Sequence, residues 1–417
     1  MLPIAKCLSL RSDDTLISMR LLFVHDNRFW PFGDKLYSYG HFAYDLLWRR
    51  YLAVFDEIRV GGRFQPPVTA EEQIQGLSRS DGPKVSFFPL PDLMTVGGLR
   101  QLRLANSKLE AEMRRVDFLI VRLPSNLGYL ACHLARKLGM RYLVENVGCT
   151  WDDLWNFGRL AGRLAALPSF VLQRYYVRKA PYVLYVSRHF LQNRYPNSQR
   201  TLACPDTTIH EMPVCLLERR LLHIKEMNSR GEIRVGLIAS LNVGYKGHDT
   251  AIRALARLVP KYPRLKLCFL GGGDRQRWLQ LAQALNVESH LAFDGSLPGG
   301  QPVLDWLDHL DVFIMPSLQE TLGRALLEAM SRGCPAIGGA GTAVPEQLPD
   351  DCIHQRKDHL DLARLLDGML SSTQYMSLCA IENFYRARKY CEELLTGRRE
   401  DFWCEAAGIT SPRRFDA

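Results

Sequence analysis

The chain has 417 residues, of which 47% are hydrophobic and 23% charged. This composition excludes a disordered protein, and the length suffices for two or three domains with separate cores. Its 53 Lys and Arg against 44 Asp and Glu give a formal net charge of +9, which suits phosphorylated ligands, anionic lipids or nucleic acid. Because no RNP, KH, zinc-finger or helix-turn-helix signature accompanies this charge, we predict no nucleic-acid partner.

The beginning of the sequence predicts neither a secretory signal nor a membrane anchor. Its first apolar residues are interrupted by Pro3, by Arg11 and by two aspartates, so they do not form the apolar core of a signal peptide. We expect residues 1–18 to be a poorly ordered extension, with Met19 as an alternative start. No window of the sequence approaches the ~18 apolar residues of a transmembrane helix.

The cysteines indicate a reducing compartment. There are 11 of them, an odd number, and they form neither a CxxC pair nor a Cys–His spacing typical of zinc. We therefore predict free thiols, a cytoplasmic location and no metal site.

The first half of the chain predicts a parallel sheet covered by helices, because short apolar runs alternate with segments of helical periodicity. A helix is predicted over Leu127 to Leu138, closed by Gly139. The predicted strands are Leu21–His25, Glu57–Val60, Asp117–Val121, Arg141–Val144 and Tyr182–Val186. We assign residues 19–215 to a first α/β domain.

The second half repeats the same scheme more regularly, so two separate βαβ arrays fit better than one long sheet. The predicted strands are Ile233–Ile238, Leu265–Leu270, Leu291–Phe293 and Val312–Met315, and the predicted helices are His248–Val259, Arg275–Leu285, Pro302–Leu307 and Leu322–Arg332. We predict a linker over 216–232, a second domain over 233–374, and a helical segment over 375–417 that can pack against either domain.

Two glutamates eight residues apart, Glu320 and Glu328, stand in the stretch PSLQETLGRALLEAMSRGCP, directly after a predicted strand. In an open α/β sheet ligands bind outside the carboxyl ends of strands, so Glu320 is expected to face a crevice. Gly323 removes a side chain from the first helical turn and lets a phosphate approach the amides there. Alternatively, Glu320 stabilises the helix start and Glu328 pairs with Arg324 at i, i+4.

This stretch closely resembles the Glu-x7-Glu signature of retaining glycosyltransferases of family 4, including bacterial surface-polysaccharide enzymes. The resemblance implies the GT-B fold, with two Rossmann-like domains facing each other across a cleft and a C-terminal helix that can cross back to the first domain. It also implies that Glu320 contacts a donor sugar and Glu328 the ribose of its nucleotide. Thr321, Leu322 and Gly323 would then bind the donor, the last two offering amides to the diphosphate.

The stretch LIASLNVGYKGHDTAIRALARL is similar to the family's strand, basic loop and helix that bind the donor diphosphate. Lys246 falls on the motif's lysine, and a cation there stabilises a pyrophosphate whose charge grows as it leaves. Many members carry an arginine six positions earlier, where this chain has Ser240. The resemblance therefore assigns this task to Lys246 and Arg324; an exposed loop lysine is the alternative for Lys246.

The stretch CFLGGGDR places Gly271 and Gly273 at a predicted strand-to-helix turn, as structural turn glycines or as donor contacts. It is not a GxGxxG fingerprint, since position 276 is Gln, which argues against a dinucleotide-dependent dehydrogenase.

Acceptor-side candidates come from two stretches of the first domain. VHDNRFWPFGDKLYSYGHF follows the first strand, where family members hold a glycine loop, and offers His25, Gly33 and Gly40. YLVENVGCTWDD occupies the place where many relatives carry a histidine near the reacting sugar, but here Glu145 and Asn146 stand instead.

The resemblance implies a retaining transfer of a hexose-type sugar from a nucleotide-diphosphate sugar, with UDP or GDP undecided, to a hydroxyl of a glycan or lipid-linked saccharide in polysaccharide biosynthesis. The departing diphosphate would help to deprotonate the attacking hydroxyl. Cationic side chains and helix amides can replace Mg²⁺ in holding a diphosphate, so no metal or other cofactor is expected. A nucleotide-sugar epimerase, a phosphorylase and a non-catalytic sugar-nucleotide sensor are the alternatives.

Basic and apolar residues interleave at 99–115 and 159–179. Such segments form either amphipathic helices on an anionic bilayer or solvated helix faces with a buried apolar side. Because many members of the family use lipid-linked acceptors, the resemblance favours peripheral contact with the inner face of the cell membrane.

Overall fold

The computed structural model describes residues 18–156, 160–207 and 209–409, which form two α/β domains, each built on a largely parallel sheet. The extension predicted over residues 1–18 lies outside these ranges, apart from Ser18. The cysteines in the described part are free thiols. Within the same part of the chain, no helix is both long enough and apolar enough to cross a bilayer.

The N-terminal domain has a nine-stranded sheet. Its strands are β1 (Arg20–Phe32), β2 (Lys35–Ser38), β3 (Glu57–Phe64), β4 (Ser78–Arg79), β5 (Val85–Leu90), β6 (Phe118–Leu123), β7 (Tyr142–Asn146), β8 (Tyr182–Tyr185) and β9 (Arg200–Ala203). The parallel order is β5-β3-β1-β6-β7-β8-β9, and β2 and β4 extend the far end of β1 as an antiparallel ribbon.

Helices cover both faces of this sheet. They are α1 (Arg49–Leu52), α2 (Val96–Leu99), α3 (Leu102–Met113), α4 (Asn126–Leu138), α5 (Thr150–Asn156), α6 (Leu160–Lys179) and α7 (Phe190–Arg194). The alternation of side chains along β1 explains the two layers: Leu22 and Val24 pack towards α3 and α4, whereas Leu21 and Phe23 pack towards α1.

The C-terminal domain has a six-stranded, fully parallel sheet in the order β12-β11-β10-β13-β14-β15. The strands are β10 (Ile233–Ile238), β11 (Leu265–Leu270), β12 (Leu291–Phe293), β13 (Val312–Met315), β14 (Ala336–Gly339) and β15 (Ile353–His354). The helices are α8 (Val214–Lys225), α9 (His248–Leu258), α10 (Gln276–Ala284), α11 (Gln301–Asp308), α12 (Arg324–Ser331), α13 (His359–Leu370) and α14 (Thr373–Ala387).

Most of the segment predicted as a linker is helical. Helix α8 buries Leu217 and Ile224 in the core and packs against α14, so it belongs to the second domain by its contacts. Arg220 fixes it to the ends of α11 and α12 by donating to the backbone oxygens of Leu307 at 2.9 Å and Arg332 at 3.1 Å.

The last helix, α15 (Glu392–Ala407), returns to the first domain, as predicted for this fold. Trp403 is buried there with its ring centroid 4.5 Å from that of Tyr51. The helical segment predicted over 375–417 is divided, because Cys391 is extended, with φ −63° and ψ 138°. At this point the segment that leads from β9 to α8 meets the start of α15: the backbone N–H of Glu392 donates to the backbone oxygen of Ile209 at 2.7 Å.

Candidate functional site

A cavity of about 260 Å³ lies in the cleft between the two domains. It is lined by His41, Arg122, Val147, Val186 and Asp206 from the first domain and by Glu320, Thr321, Leu322, Gly323 and Arg324 from the second. The second set connects β13 to α12, so the cavity lies at the carboxyl end of a central parallel strand, where this class of sheet binds ligands. Five of the residues predicted as donor or catalytic contacts therefore lie together.

Lys246 is paired with Glu320. Its Nζ lies 2.6 Å from Oε1 of Glu320, and the two side chains are 26% and 13% exposed. The contact joins the loop after β10 to the loop after β13, which the sheet places side by side. Partial burial strengthens the attraction between the two charges, and it places a cation directly beside the start of α12.

The start of α12 is open to an anion. Gly323 precedes the helix with φ +70° and ψ 51°, a left-handed conformation that favours glycine. No side chain of the described residues caps the first amides, which have no partner within the helix and carry the positive end of its dipole. Thr321 donates its hydroxyl to the backbone oxygen of Val147 in the other domain at 2.9 Å. This helix start is therefore held across the cleft.

Glu328 lies further along α12, outside the cavity lining, and is partly buried. Burial raises the pKa of its carboxyl, and Arg324 offsets part of that rise. Its i, i+4 neighbour Arg324 lines the cavity, so Glu328 lies about one helical turn beyond the lining.

Gly271 and Gly273 lie in the loop after β11, which packs against the loop after β10 that carries Ser240; none of these three predicted donor contacts lines the cavity. A Cβ on Gly271 would lie 2.0 Å from the backbone oxygen of Ala239, and one on Gly273 would lie 2.7 Å from Oδ1 of Asn242. These glycines therefore let two loops approach each other. The Ser240 hydroxyl is exposed near the same loops, 3.5 Å from the backbone oxygen of Gly272.

The wall of the first domain presents a fixed guanidinium group. Arg122 donates to Oε2 of Glu145 at 2.9 and 3.1 Å, and the Tyr51 hydroxyl donates to the same oxygen at 2.8 Å. Asp206 lies 3.8 Å from Arg122 and 2.5 Å from Arg50. Burial favours the neutral form of Asp206, but these arginines outweigh it and hold its pKa below the usual range. Arg122 is thus a preorganised cation facing the cavity.

The predicted acceptor-side residues are dispersed. Gly33 is an exposed turn residue with φ +60° between β1 and β2, whereas Gly40 directly precedes the cavity residue His41. Glu145 reaches the cavity only through Arg122. Asn146 is buried, where its Oδ1 accepts from Gln173 at 2.7 Å.

Two imidazoles of the first domain are disfavoured as cations. His25 stacks on Phe42 with a centroid distance of 5.2 Å, and burial followed by the charge of Arg122 lowers its pKa to about 3. The His41 ring lies at the cleft and is partly desolvated there. This desolvation, followed by the positive charges of Arg324 and Arg122, lowers its pKa to about 4. Both rings are therefore neutral at pH 7, and His41 is the one that lines the cavity.

Several residues of the cleft were not found from the sequence: His41, Arg122, Asp206, Gln319 and Glu346. Glu346 accepts three backbone N–H groups of the other domain, from Arg188 at 2.6 Å, His189 at 3.1 Å and Phe190 at 2.5 Å. Gln319 donates to Asp153 across the same cleft. A usable signal existed for Arg122, a charge inside the apolar run Phe118–Leu123; the other residues lie in loops without periodicity.

Over residues 18–156, 160–207 and 209–409, no group of three or more His, Cys, Asp or Glu side chains is arranged to hold a metal ion.

The second domain is similar in sequence to a known protein family. Residues 227–379 match the family model "Glycosyl transferases group 1". Protein CapJ of Staphylococcus aureus is 29% identical over 385 residues, which are 92% of this chain and 94% of CapJ. The lipopolysaccharide glucosyltransferase WaaG of Escherichia coli is 35% identical over 108 residues, or 26% of this chain and 28% of WaaG.

Solved structures match both domains at low identity and so show the fold. HepE of Anabaena in complex with UDP aligns with a TM-score of 0.63 at 14% identity, covering 93% of this chain and 100% of HepE. The structure of WaaG, described as a glycosyltransferase involved in lipopolysaccharide biosynthesis, aligns with a TM-score of 0.59 at 16% identity over 91% of this chain and 98% of WaaG. Together these matches show the GT-B fold over both domains and a sequence similar to glycosyl transferases of group 1 over residues 227–379.

Proposed function

We propose that the enzyme moves a sugar, with retention of its anomeric configuration, from a nucleotide-diphosphate sugar to a hydroxyl of a glycan or lipid-linked saccharide. The observation that carries this proposal is the Lys246–Glu320 pair beside the uncapped start of α12, inside the cleft between the two domains. HepE, whose structure contains UDP, and WaaG, whose description names lipopolysaccharide biosynthesis, support the donor class and a role in polysaccharide synthesis.

In this proposal the diphosphate lies at the amides that begin α12, between Lys246 and Arg324. Its negative charge grows as the bond from the anomeric carbon to the phosphate oxygen breaks, and fixed cations and amides stabilise that charge most in the transition state. Glu320 accepts hydrogen bonds from sugar hydroxyls, and Glu328 accepts from the ribose. The proton of the attacking hydroxyl passes to the departing phosphate oxygen while the new bond forms on the same face.

No protein nucleophile and no cofactor are part of the proposal; the nucleotide sugar is a cosubstrate. Arg122 and His41 face the donor side from the opposite wall, so they are placed to contact the acceptor. Contacts that span the cleft, including those of Glu346 and Thr321, hold the two domains together around the site and exclude water that would otherwise hydrolyse the donor.

The test measures nucleotide binding and transfer separately. Thermal unfolding of the full chain is followed with UDP, GDP, ADP and TDP; a ligand at ~100 times its dissociation constant stabilises the folded state by ~2.7 kcal/mol. We expect Lys246→Met to weaken binding of the nucleotide that stabilises the wild type by ~10–100-fold, because a charge-assisted hydrogen bond contributes ~1.5–3 kcal/mol. Lys261→Met is the matched control, since Lys261 forms an exposed pair with Asp367 at 2.5 Å.

Glu320→Gln separates the roles of the two members of the pair. Its carboxylate is assigned to the sugar, so the variant should keep binding the nucleoside diphosphate but lose transfer from the nucleotide sugar, measured as release of that diphosphate in the presence of acceptor. Absence of stabilisation by every nucleotide would refute the donor site. If the donor is isomerised in the absence of acceptor, the protein is an epimerase. If the sugar is released only to inorganic phosphate, it is a phosphorylase. Binding of the nucleotide without turnover would indicate a sensor.

A further inference from the structure

Both chain neighbours of Glu320 are bound to the first domain. On one side, the hydroxyl of Thr321 donates to the backbone oxygen of Val147 at 2.9 Å. On the other side, Nε2 of Gln319 donates to Oδ1 of Asp153. Val147 directly follows β7, and Asp153 lies in the first turn of α5. One segment of the first domain therefore holds the loop of Glu320 from both sides.

The contact between Gln319 and Asp153 is incomplete when the carboxyl is ionised. Oε1 of Gln319 is buried and has no hydrogen-bond partner among the described residues, which costs free energy in the folded protein. An ionised carboxylate only accepts hydrogen bonds, whereas a neutral carboxyl also carries one O–H donor. A carboxylic acid beside a primary amide forms two bonds, one from the amide N–H and one from the acid O–H. A proton on Asp153 therefore supplies the donor that Oε1 lacks.

The groups of the first domain around Asp153 disfavour a negative charge on it. Asp152 precedes it in the chain, and the countercharge of Asp152 is Arg194, at 2.7 Å. Tyr129 approaches from α4, and burial raises the pKa of its hydroxyl, so it is neutral at pH 7. Asp153 thus faces one carboxylate, whose cation is already engaged, and one neutral hydroxyl.

The second domain does not compensate for this, as far as its described residues go. Gln319, the partner of Asp153 there, is uncharged. Arg356 reaches the end of α5 but donates to Asn156, at 3.3 Å. Burial, followed by the charge of Asp152, raises the pKa of the Asp153 carboxyl to about 7. The neutral form that the Gln319 amide requires is therefore accessible near neutral pH.

We propose that Asp153 is a positioning residue: in its neutral form it pairs with the Gln319 amide through two hydrogen bonds, closes the cleft and fixes the loop that carries Glu320. An open cleft exposes the carboxyl to water, where it ionises at about pH 4, so closing takes up a proton. The closed arrangement is therefore favoured as the pH falls below about 7, and it loses this contribution as the pH rises through that value. The effect on Glu320 rests on the proposed function; the closing contact does not.

The first test is small-angle scattering of the full chain without substrate. The ratio of closed to open molecules should be about tenfold higher at pH 6 than at pH 8, so the radius of gyration of the wild type should be smaller at pH 6. Asp153→Asn offers both an N–H and a carbonyl oxygen and never ionises, so it should stay compact at both pH values. Asp153→Ala should be open at both. Asp45→Asn, which removes an exposed carboxylate paired with Arg49 at 3.4 Å, should follow the wild type.

The second test measures transfer and nucleotide binding. The ratio of kcat of Asp153→Asn to that of the wild type should be about one at pH 6 and about ten at pH 8. Asp153→Ala should lose about tenfold in kcat at pH 6. Its thermal stabilisation by nucleotide should equal that of the wild type, because Lys246 and the amides of α12 belong to the second domain. Adding Gln319→Met to Asp153→Ala should lower kcat no further, since the two side chains form one contact.

Equal scattering of the wild type at pH 6 and pH 8 would overturn the proposal. So would an Asp153→Asn variant as impaired as Asp153→Ala, or effects of the Asp153 and Gln319 variants that add. Circular dichroism checks that each variant is folded. If no nucleotide stabilises the chain, the donor site is wrong, but the scattering of the wild type and of Asp153→Asn still decides whether the pair closes the cleft.

Discussion

His248 is a fully buried imidazole with an unusual environment. It begins α9, two residues after Lys246, and its ring stacks on Trp278 with a centroid distance of 4.7 Å. Neither ring nitrogen has a hydrogen-bond partner among the described residues. Burial, followed by the charges of Lys246 and Arg277, lowers its pKa from 6.5 to about 4. The imidazole is therefore neutral in the folded protein at any pH above about 4.

This residue predicts a specific dependence of stability on pH. Below pH 6.5 the unfolded chain binds a proton at this position that the folded protein does not, so the free energy of unfolding falls as the pH is lowered towards 4. His248→Phe removes the effect and keeps the stacked ring. Relative to the wild type, the variant should gain ~2 kcal/mol between pH 7.5 and pH 5, at ~1.4 kcal/mol per pH unit.

Urea unfolding at the two pH values measures this gain. His133→Gln, which removes an exposed imidazole from α4, controls for the loss of a histidine as such. An equal difference between variant and wild type at both pH values would contradict the prediction.

At the scale of single residues, the sequence predicted the part of the site that is contiguous in the chain. Glu320, Thr321, Leu322, Gly323 and Arg324 line one wall because a single strand-to-helix connection carries all of them. The opposite wall is assembled from residues scattered between position 41 and position 206, and no regular spacing relates them. Glu145 illustrates the difficulty: an acid at the end of a strand suggests a ligand contact, but Arg122 and Tyr51 occupy its carboxylate.

Among the elements, the loop between β10 and α9 depends on one glycine. Gly247 has φ +81°, and a Cβ there would lie 2.2 Å from the backbone oxygen of Pro316, the first residue after β13. Next to it, the N–H of Leu318 donates to the oxygen of Tyr245 at 2.7 Å. This backbone contact holds the Lys246 loop against the loop of Glu320, so the pairing of these side chains follows from the packing of two loops.

We expect Gly247→Ala to destabilise the protein by ~2–4 kcal/mol, because it adds left-handed backbone strain and a clash with backbone atoms. It should also weaken nucleotide binding by displacing Lys246. Gly231→Ala is the matched control: an added Cβ meets nothing within 4 Å there, and little change is expected. Urea unfolding and the nucleotide-induced shift in Tm are the measurements; equal stability of the two variants would show that the loops can separate freely.

The strands and helices are predicted accurately where the hydrophobic periodicity is strong. They are predicted less accurately where one residue determines the start of an element. The strands β10, β11, β12 and β13 begin and end where the apolar runs do. Helix α12 starts two residues later than predicted, at Arg324, because Gly323 is left-handed. Helix α8 falls in the segment predicted as a linker, because its charged residues obscure the helical spacing of Leu217 and Ile224, which α14 covers in the structure.

At the scale of the whole molecule, Glu346 holds the domains together. Its carboxylate accepts three backbone N–H groups at the start of α7, and charge-assisted bonds of this kind are stronger than neutral ones. We expect Glu346→Ala to shift the population towards a more open arrangement, by ~2–4 kcal/mol. Small-angle scattering should then give a larger radius of gyration without ligand, and transfer should slow while each domain stays folded.

Glu382→Ala is the control for this prediction, because Glu382 forms only a partly exposed i, i+4 pair with Arg386. Scattering curves of Glu346→Ala that coincide with those of the wild type would mean that the other contacts across the cleft are sufficient.

The return of α15 to the first domain affects how the protein is made. The side of the first sheet that carries Phe23 is covered in part by α1, with Tyr51, and its cover is completed only when translation reaches Trp403 and Ala407 of α15. At about 5–20 residues per second, the ribosome needs roughly 20–70 s to add the intervening ~350 residues. Throughout that interval the aromatic side chains of the nascent chain lack their final partner, so biosynthesis, rather than the finished enzyme, is the stage most exposed to aggregation and most dependent on chaperones.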